Sequence, residues 1–248
     1  SKTQQVMNIR IANLFAFVVM ITMNALANIL PINGKNTGEL SDQYPNLFVP
    51  AGVTFSIWGA IYLLLLTVMM LQFVTRWRDE IEGLRWTIVV NFVLNALWIV
   101  VWHYEYVFLS LLVMLSLLGT LVSINQELQH RGSWIVRLAF GVYLGWICLA
   151  TIANTTALLV HIGWGGFGIA QETWTIIMIL VGALVSAGVM WKLQNPFLAL
   201  ALLWGFYGIV LKRQSDFPVI ALTSYVGMAV IAAVAIYVAY RSRPTSTV

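Results

Sequence analysis

Charge is scarce in this chain. Only 9% of its 248 residues are Asp, Glu, Lys or Arg, whereas a soluble domain carries roughly 25%. With 60% hydrophobic residues and a mean hydropathy of +0.88, the chain cannot cover a folded core with a water-compatible surface. We therefore predict an integral membrane protein surrounded by a lipid bilayer. The net charge of +4 does not indicate nucleic acid as a partner, because the basic residues are spread between apolar segments.

Cysteine and histidine are nearly absent too. The single cysteine, Cys148, excludes a disulfide within these 248 residues, and its place in an apolar segment favours a small buried side chain over a reactive thiol. The three histidines are scattered and show no metal-ligand spacing. No phosphate loop, nucleophile elbow or dinucleotide-binding motif occurs in a credible context. We therefore predict no metal site, no catalytic residues and no required cofactor.

No Asp, Glu, Lys or Arg lies deep in any long apolar segment. Ion-coupled carriers generally hold such residues inside the membrane, because moving a charge needs a site for it. A retinal pigment would need an intramembrane lysine for its Schiff base. The sequence therefore disfavours both of these classes of membrane protein.

Eight windows between charged residues are long enough for a membrane-spanning helix, which needs roughly 20 apolar residues. The windows are 11–34, 43–75, 86–104, 106–126, 138–171, 173–191, 193–211 and 217–240. Glycines in 163–168 are expected to end the fifth helix near residue 160. The predicted fold class is all-α, a polytopic membrane helix bundle of about eight spans. Seven spans would result if one of the weaker windows, 86–104 or 193–211, were re-entrant.

The distribution of basic residues predicts the orientation of the chain. With both termini in the cytoplasm, most Lys and Arg residues fall on cytoplasmic segments, as the positive-inside rule requires. The exception is the last outer loop, which carries Lys212 and Arg213 beside Asp216. A bacterial plasma membrane is the preferred location, with an organelle membrane as the alternative.

The longest connection, 31–50, is rich in turn-forming residues. It is either a solvated connector or a lid over a cavity that opens on that side. The lid residues of interest are Lys35, its one basic residue, and Pro50 at its end. At the other end of the chain, the polar tail after Arg243 is expected to be disordered.

Amides and indoles share one face of the third predicted helix. The members, at i, i+4, i+7 and i+11, are Asn91, Asn95, Trp98 and Trp102. An amide that faces lipid leaves its hydrogen bonds unmade, so this face points at protein, ligand or water. The asparagines are either ligand-binding groups or interhelical hydrogen-bonding groups. Trp102 is either a cavity residue or part of an interfacial aromatic belt.

Two other predicted helices carry a similar stripe. Trp146, Ala150 and Asn154 are spaced by four in the fifth helix, and Trp58 and Tyr62 have the same spacing in the second. A small residue between two large ones leaves a recess in which a flat ligand could lie. We therefore expect the indoles and amides of the second, third and fifth helices to converge on one hollow.

The fifth helix has a second face of interest. Gly141 and Gly145 form a small-xxx-small pair. Such pairs let two transmembrane helices approach closely. We therefore expect a neighbouring helix to pack on this face, separately from any ligand on the aromatic stripe.

Three sequence motifs run through these helices. The second helix carries a W-x-x-L-Y-like motif after a proline, the third an L-N-x-x-W motif, and the fifth a Y-L-x-W-x-x-x-A-T-x-x-N motif. Their residues are Pro50, Phe55, Trp58, Tyr62, Leu94, Asn95, Trp98, Tyr143, Leu144, Trp146, Ala150, Thr151 and Asn154. In this order they resemble the motifs of the TspO/MBR family, the tryptophan-rich sensory proteins that include the translocator (peripheral benzodiazepine receptor) proteins. In the fifth helix, Val142 and Leu149 replace a proline and a phenylalanine of the family pattern.

The resemblance implies a TspO/MBR-like five-helix membrane core, assigned to residues 1–165, with a pocket beneath the loop between the first two helices. It covers residues 10 to about 160. Residues 166–248 are therefore predicted to add a three-helix transmembrane extension and a short polar tail. The candidate roles of the extension are a cover for the outer face of the core, a contact in a homo-oligomer, or a second function.

The resemblance also implies a ligand. The family binds porphyrins and related tetrapyrroles, sterols and synthetic aromatic ligands, so we expect a flat apolar or amphipathic guest such as a porphyrin or haem, with a sensory, regulatory or translocator role. The alternatives are a transporter of a neutral or amphipathic metabolite and a porphyrin-degrading enzyme. Together with the stripes, it predicts a set of ligand-binding residues. They are Trp58, Tyr62, Asn91, Asn95, Trp98, Tyr143, Trp146, Ala150 and Asn154.

Overall fold

The computed structural model describes residues 1–242, and these residues fold into ten α-helices with no β-strand. The polar tail predicted after Arg243 lies outside the described residues. The helices are α1 (Lys2–Asn28), α2 (Thr37–Asp42), α3 (Ile57–Leu71), α4 (Thr75–Glu82), α5 (Thr87–His103), α6 (Val107–Leu128), α7 (Trp134–His161), α8 (Gln171–Leu193), α9 (Leu198–Arg213) and α10 (Pro218–Arg241). The prediction of an all-α fold is confirmed.

Each of the eight charge-free windows holds one long helix, and two short helices were not predicted. One of them, α2, lies inside the 31–50 loop. The other, α4, is charged along most of its length and meets α5 at an angle of 74°. Helix α7 ends at His161, close to the predicted position, because Gly163 follows in the left-handed region with φ of +71°.

Six helices are long and apolar enough to cross a membrane: α1, α3 with the turn before it, α6, α7, α8 and α10. The other two long helices, α5 and α9, are also apolar but have only 17 and 16 residues. Successive members of these eight long helices run in opposite directions. Each one begins on one face of the bundle and ends on the opposite face. This arrangement agrees with a membrane protein of about eight spans.

The 31–50 loop marks one of these faces, termed the loop face. His103, the last residue of α5, hydrogen-bonds Thr37 Oγ1 at 3.0 Å. The ring of His161, the last residue of α7, lies 5.9 Å from the ring of Tyr44. Near the end of α9, Arg213 donates to the carbonyl oxygen of Asn46 at 3.1 Å. The ends of α1, α5, α7 and α9 therefore meet on the loop face.

The opposite face gathers the other helix ends. Near the start of α1, Arg10 forms an ion pair with Glu82 at the end of α4. Just after α6, Gln129 donates to the carbonyl oxygen of Lys192 near the end of α8, at 3.3 Å. Because α10 runs away from the loop face, it ends on this opposite face, where α1 begins.

Helix α7 lies at the centre of the bundle and packs against α3, α6, α8 and α9. At Gly145, an added Cβ would lie 2.4 Å from the carbonyl oxygen of Leu198 on α9. At Gly141, it would lie 2.7 Å from the side-chain nitrogen of Asn195, just before α9. The prediction that a neighbouring helix packs against this glycine pair is confirmed, and that helix is α9.

The last three helices are joined to the rest of the bundle through this contact. Helix α10 packs extensively on both α8 and α9, and α9 packs extensively on α7. The helices of the predicted extension therefore share a buried core with the earlier helices. This core contains fully buried side chains from both parts, such as Phe140 of α7 and Phe206 of α9.

Replacing Gly145 by alanine is expected to destabilise the protein, because the new methyl group would press on the backbone of α9. Overpacking of this kind typically lowers the free energy of unfolding by ~1–3 kcal/mol. Denaturation in detergent, followed by tryptophan fluorescence, measures the effect. The matched control is Gly119→Ala on α6, where no heavy atom lies within 4 Å of the new Cβ. Equal stability of the two variants would contradict the close contact between α7 and α9.

Candidate functional site

A cavity lies beneath the residues that connect α2 to α3, between α3, α5, α7 and α9. It is termed the central cavity, and its volume is about 60 Å³. Most of its lining is apolar, and no charged side chain of the described residues contributes to it. The aromatic lining residues are Phe48, Phe55, Trp58, Trp98, Trp102 and Trp146.

Indole rings from three helices meet at this cavity. Trp58 of α3 and Trp146 of α7 lie edge to face, with 6.4 Å between ring centroids. On the α5 side, Trp98 and Trp102 are stacked at 5.6 Å with an interplanar angle of 12°. Phe55 packs edge-on against Trp146 at 6.0 Å. Because the rings pack against one another, they leave little free volume between them.

Asn154 fixes the orientation of one of these indoles. Its Oδ1 accepts a hydrogen bond from the indole nitrogen of Trp98 at 2.8 Å, and its Nδ2 donates to Ser110 Oγ at 3.1 Å. A buried indole N–H needs an acceptor, so this pair holds the plane of the ring. Ala150 lies one turn earlier on α7 and lines the same cavity, as the spacing of the stripe predicts.

The fold brings together five of the nine predicted ligand-binding residues. Those at the central cavity are Trp58, Trp98, Trp146, Ala150 and Asn154. From the predicted lid, Pro50 also lines the cavity, whereas Lys35 does not. Trp102, which the sequence left between a cavity position and an interfacial belt, is buried and lines the cavity.

Four predicted residues do not line the central cavity: Tyr62, Asn91, Asn95 and Tyr143. Asn95 donates to the hydroxyl oxygen of Tyr143 at 2.8 Å, which joins α5 to α7. Asn91 donates to Thr120 Oγ1 at 2.9 Å, which joins α5 to α6. These two amides therefore serve interhelical contacts, the alternative that the sequence left open. Tyr62 lines a neighbouring cavity between α1 and α3.

Helix α9 supplies a wall of the central cavity that sequence reasoning missed. Gly205 and Ile209 line the cavity beside Trp146. A Cβ on Gly205 would lie 2.1 Å from Cδ1 of Leu149, so a larger residue here would require the Leu149 side chain to move. The signal that could have found this wall is the pair Gly205 and Gly208, since small residues in a transmembrane helix mark close contacts.

Helix α9 also forms hydrogen bonds with the segment that precedes α3 and covers the cavity. The carbonyl oxygen of Gly208 accepts a hydrogen bond from the backbone N–H of Ala51 at 2.9 Å. The indole nitrogen of Trp204 donates to the carbonyl oxygen of Thr54 at 2.8 Å. Gly208 is tightly enclosed as well, because an added Cβ would lie 2.1 Å from Oγ1 of Thr54.

Two basic residues at the end of α9 extend this attachment to the loop. Arg213 donates to the carbonyl oxygens of Asn46, at 3.1 Å, and Leu47, at 3.4 Å. Lys212 lies 3.6 Å from a carboxylate oxygen of Asp42. These contacts give a structural reason for the basic residues at the end of α9, which depart from the positive-inside rule in the predicted orientation.

The first part of the loop is attached to α5. The ring of His103 hydrogen-bonds Thr37 Oγ1 at 3.0 Å and a loop carbonyl at 3.1 Å. The amide of Gln43, in the orientation that satisfies both neighbours, donates to Glu105 at 2.8 Å and accepts from Lys35. Lys35 is therefore bound within the loop region rather than directed into the cavity.

Tyr44, in the 31–50 loop, packs against Trp102, one of the residues that line the cavity. Its ring lies 5.6 Å from that of Trp102. Burial, and then the nearby carboxylate of Glu105, raise the pKa of the Tyr44 hydroxyl. The hydroxyl therefore stays protonated at neutral pH and can act as a hydrogen-bond donor.

Comparison with known proteins identifies one relationship. The model of a family described as TSPO-like protein matches residues 10–237. The matched region begins within α1 and ends within α10, so it includes all of α2 to α9. A search of curated proteins and a search of solved structures found no match.

Replacing Arg213 by glutamine is expected to loosen the loop, because two hydrogen bonds from a charged donor to loop carbonyls are lost. A hydrogen bond to a charged group contributes ~1.5–3 kcal/mol, so amide hydrogen exchange in residues 44–50 should become at least about tenfold faster. Mass spectrometry of the purified protein measures this exchange. The control is Lys192→Gln on the opposite face, which should leave it unchanged. Equal exchange in both variants would show that Arg213 does not hold the loop.

Proposed function

This chain belongs to the TSPO-like protein family, and from that premise we propose that it binds a flat, apolar or amphipathic molecule in the central cavity. A tetrapyrrole or a sterol-like compound is the proposed class of ligand. The observation that carries the proposal is the meeting of Trp58, Trp98 and Trp146, from three different helices, around one cavity beneath the 31–50 loop.

The lining favours stacking over ionic recognition. Indole faces attract flat conjugated or alicyclic bodies through dispersion and burial of apolar area. The polar lining groups are uncharged and include Thr37, Ser41 and Asn154. They can exchange hydrogen bonds with a carbonyl or hydroxyl group at the edge of a ligand. A neutral or amphipathic body therefore suits this cavity.

A tetrapyrrole requires the cavity to open. The present volume of about 60 Å³ holds a few water molecules, whereas ligand pockets measure roughly 300–1,000 Å³. We propose that the loop lifts from α9 and that Trp58 swings away from Trp146, so that the ligand takes the place of the ring–ring contacts. In this scheme the contacts of Arg213 with the loop limit the rate of ligand entry.

The acidic groups of a porphyrin would lie at the loop face. Its propionates need cationic or hydrogen-bonding partners, because an unpaired charge is costly in an apolar site. Three basic residues contact loop residues in the closed arrangement: Lys35, Lys212 and Arg213. Lifting the loop would release them for the ligand at the mouth of the cavity.

Binding with a sensory or regulatory role is favoured over passage through the bundle. Towards the opposite face the interior is packed with fully buried side chains, including Leu65, Met69, Phe92 and Leu121. A transport route would need all of them to move. In the proposed orientation, both termini lie in the cytoplasm of a bacterial cell and the loop face is the outer face. The start of α1 and the end of α10 share one face of the bundle, and the excess of Lys and Arg on the segments of that face is the reason for proposing it as the cytoplasmic one.

Replacing Trp146 by alanine is expected to weaken binding of protoporphyrin IX or haem, because Trp146 presents its ring to the central cavity. Aromatic stacking of this kind contributes ~1–3 kcal/mol, which corresponds to roughly a 5- to 150-fold higher Kd. Absorbance or fluorescence titration of the purified protein in detergent measures Kd.

The control for this prediction is Trp191→Ala on α8, whose ring is 50% exposed on the outside of the bundle. Its Kd should equal that of the unmodified protein. Equal losses in the two variants would indicate non-specific adsorption to apolar surface. An unchanged Kd in Trp146→Ala would remove the central cavity as the binding site. Ligand flux into proteoliposomes, at a rate that Trp146→Ala abolishes, would favour a translocator role instead.

A further inference from the structure

A second cavity lies on the loop face, between the end of α7, the start of α8 and the loops 31–50 and 162–170. It is termed the loop-face cavity, and its volume is about 240 Å³. Helix α7 packs much less extensively on α8 than on α6 or α9, which leaves space for this cavity. Two of its lining residues, Trp164 and Ile169, are 39% and 43% exposed. The cavity therefore opens to the outside of the protein on the loop face.

A single segment separates the loop-face cavity from the central cavity. Among the described residues, only Asn46 and Phe48 line both cavities. Phe48 is 2% exposed and has the larger side chain of the two, so it forms the larger part of the wall between them.

Hydrogen bonds of neighbouring residues fix the position of Phe48. Oδ1 of Asn46 accepts from the backbone N–H of Phe48 at 3.1 Å, and its Nδ2 donates to the carbonyl oxygen of Tyr44 at 2.8 Å. From α9, Arg213 donates to the carbonyl oxygens of Asn46 and Leu47. All of these acceptors and the N–H of Phe48 belong to one short loop segment, so the wall can move without displacing a long helix.

The loop-face cavity is more polar than the central cavity. No charged side chain of the described residues lines it, and its polar side chains are those of Asn46, Thr156, Gln171 and Thr175. Gln171 is exposed at the start of α8, where its amide can both donate to and accept from a bound molecule. The lining therefore suits the hydrogen-bonding edge of a molecule.

Two indoles add rigid aromatic surface to this polar lining. The rings of Trp164 and Trp174 lie 5.4 Å apart. The indole nitrogen of Trp174 donates to the carbonyl oxygen of Gly166 at 2.8 Å, and Phe167 packs edge-on against Trp164 at 5.4 Å. Aromatic surface beside a few polar groups is typical of small-molecule sites.

Neither cavity alone has the roughly 300–1,000 Å³ of small-molecule sites. The central cavity has about 60 Å³ and the loop-face cavity about 240 Å³. Turning Phe48 out of the wall would add the volume of its ring and join the two cavities into one pocket. This pocket would be apolar at its end between α3, α5, α7 and α9, and polar at its end on the loop face.

We propose that the loop-face cavity is the second part of the ligand site and its entrance, with Phe48 as the gate between the two parts. The inference rests on the function proposed for the central cavity. The apolar body of a flat amphipathic molecule passes Phe48 and lies among the indoles of the central cavity. The hydroxyl, carbonyl or carboxyl groups at its edge stay in the loop-face cavity beside Gln171. Movement of the wall also frees Arg213 to pair with an acidic group of the ligand.

The variant Phe48→Ala tests the gate. Removing the ring joins the two cavities permanently, so protoporphyrin IX should associate at least about fivefold faster, because the binding-competent form no longer competes with a closed form. Stopped-flow quenching of tryptophan fluorescence measures the rate for the purified protein in detergent. The control is Phe108→Ala on α6, whose ring is 63% exposed and whose loss should leave the rate unchanged. Equal rates in the two variants would overturn the proposal.

The variant Thr175→Trp tests the loop-face cavity as part of the site. Thr175 lines this cavity and is 5% exposed, so an indole at this position should fill it. The Kd of protoporphyrin IX should rise at least about fivefold, as it would on loss of one stacking contact, and association should slow. The matched control is Thr173→Trp, at an exposed position of α8 outside the cavity, which should bind like the unmodified protein.

Cysteine labelling tests the junction of the cavities without any ligand. In a Cys148→Ser background, Ala157→Cys places a thiol in the lining of the central cavity, where Ala157 is 4% exposed. N-ethylmaleimide should modify this thiol slowly, and at least about tenfold faster when Phe48→Ala opens the wall. Adding Thr175→Trp to that protein should make the modification slow again. Mass spectrometry of the intact protein measures the modified fraction.

The outcomes separate this proposal from that for the central cavity. If no porphyrin binds while the labelling follows the expected pattern, the proposed ligand class is wrong and the gated junction is supported. If the porphyrin affinity depends on Trp146 but Thr175→Trp binds like Thr173→Trp, the central cavity is supported and the loop-face cavity is not part of the site. That result overturns the proposal even if Phe48→Ala fails to fold.

Discussion

The close contact between α7 and α9 is the constraint on which the candidate site depends. Gly145 and Gly205 have no side chain where the two helices meet, so their backbones approach more closely than larger residues would permit. This approach brings Gly205 to the edge of the central cavity and places Gly208 and Arg213 within hydrogen-bonding distance of the loop above it. One wall of the cavity and its cover therefore depend on the same helix pair.

The hydrogen-bonding needs of buried amides explain why the polar stripe of α5 has two roles, joining helices and lining the cavity. A carboxamide in an apolar interior needs partners on a neighbouring helix, because none is available from lipid. Asn95 finds Tyr143 and Asn24, and Asn91 finds Thr120. Indoles have one donor and a large apolar face, so a single acceptor such as Asn154 leaves most of the ring free to line a cavity. The same stripe thus supplies helix-joining groups at one end and cavity surface at the other.

Under the proposed function, the contacts of the loop would link ligand binding to the stability of the closed form. Ring pairs such as Trp98 with Trp102 contribute ~0.5–1.5 kcal/mol each beyond their buried area, and the hydrogen bonds from Arg213 and Trp204 add to them. Under the proposed function, a ligand in the central cavity would have to compensate for every contact that opening removes, so its measured affinity would be lower than its affinity for the open form. Helices α8 and α10 support α9 from the outside. Helices α8, α9 and α10 would therefore help to set how readily the proposed opening occurs.

The sequence by itself determined the membrane character, the eight long helices and the aromatic stripes, because hydropathy and helical periodicity are properties of neighbouring residues. It also predicted that another helix would pack against Gly141 and Gly145, since small residues on a transmembrane helix permit close helix–helix contact. The identity of that helix, the unpredicted α4 and the partner of each asparagine depend on contacts between residues distant in the chain. Gly205 reaches the cavity only because α9 folds back against α7, and no local pattern encodes that pairing. Local chemistry decided which surfaces could form a site, and tertiary packing decided which of them face a common cavity.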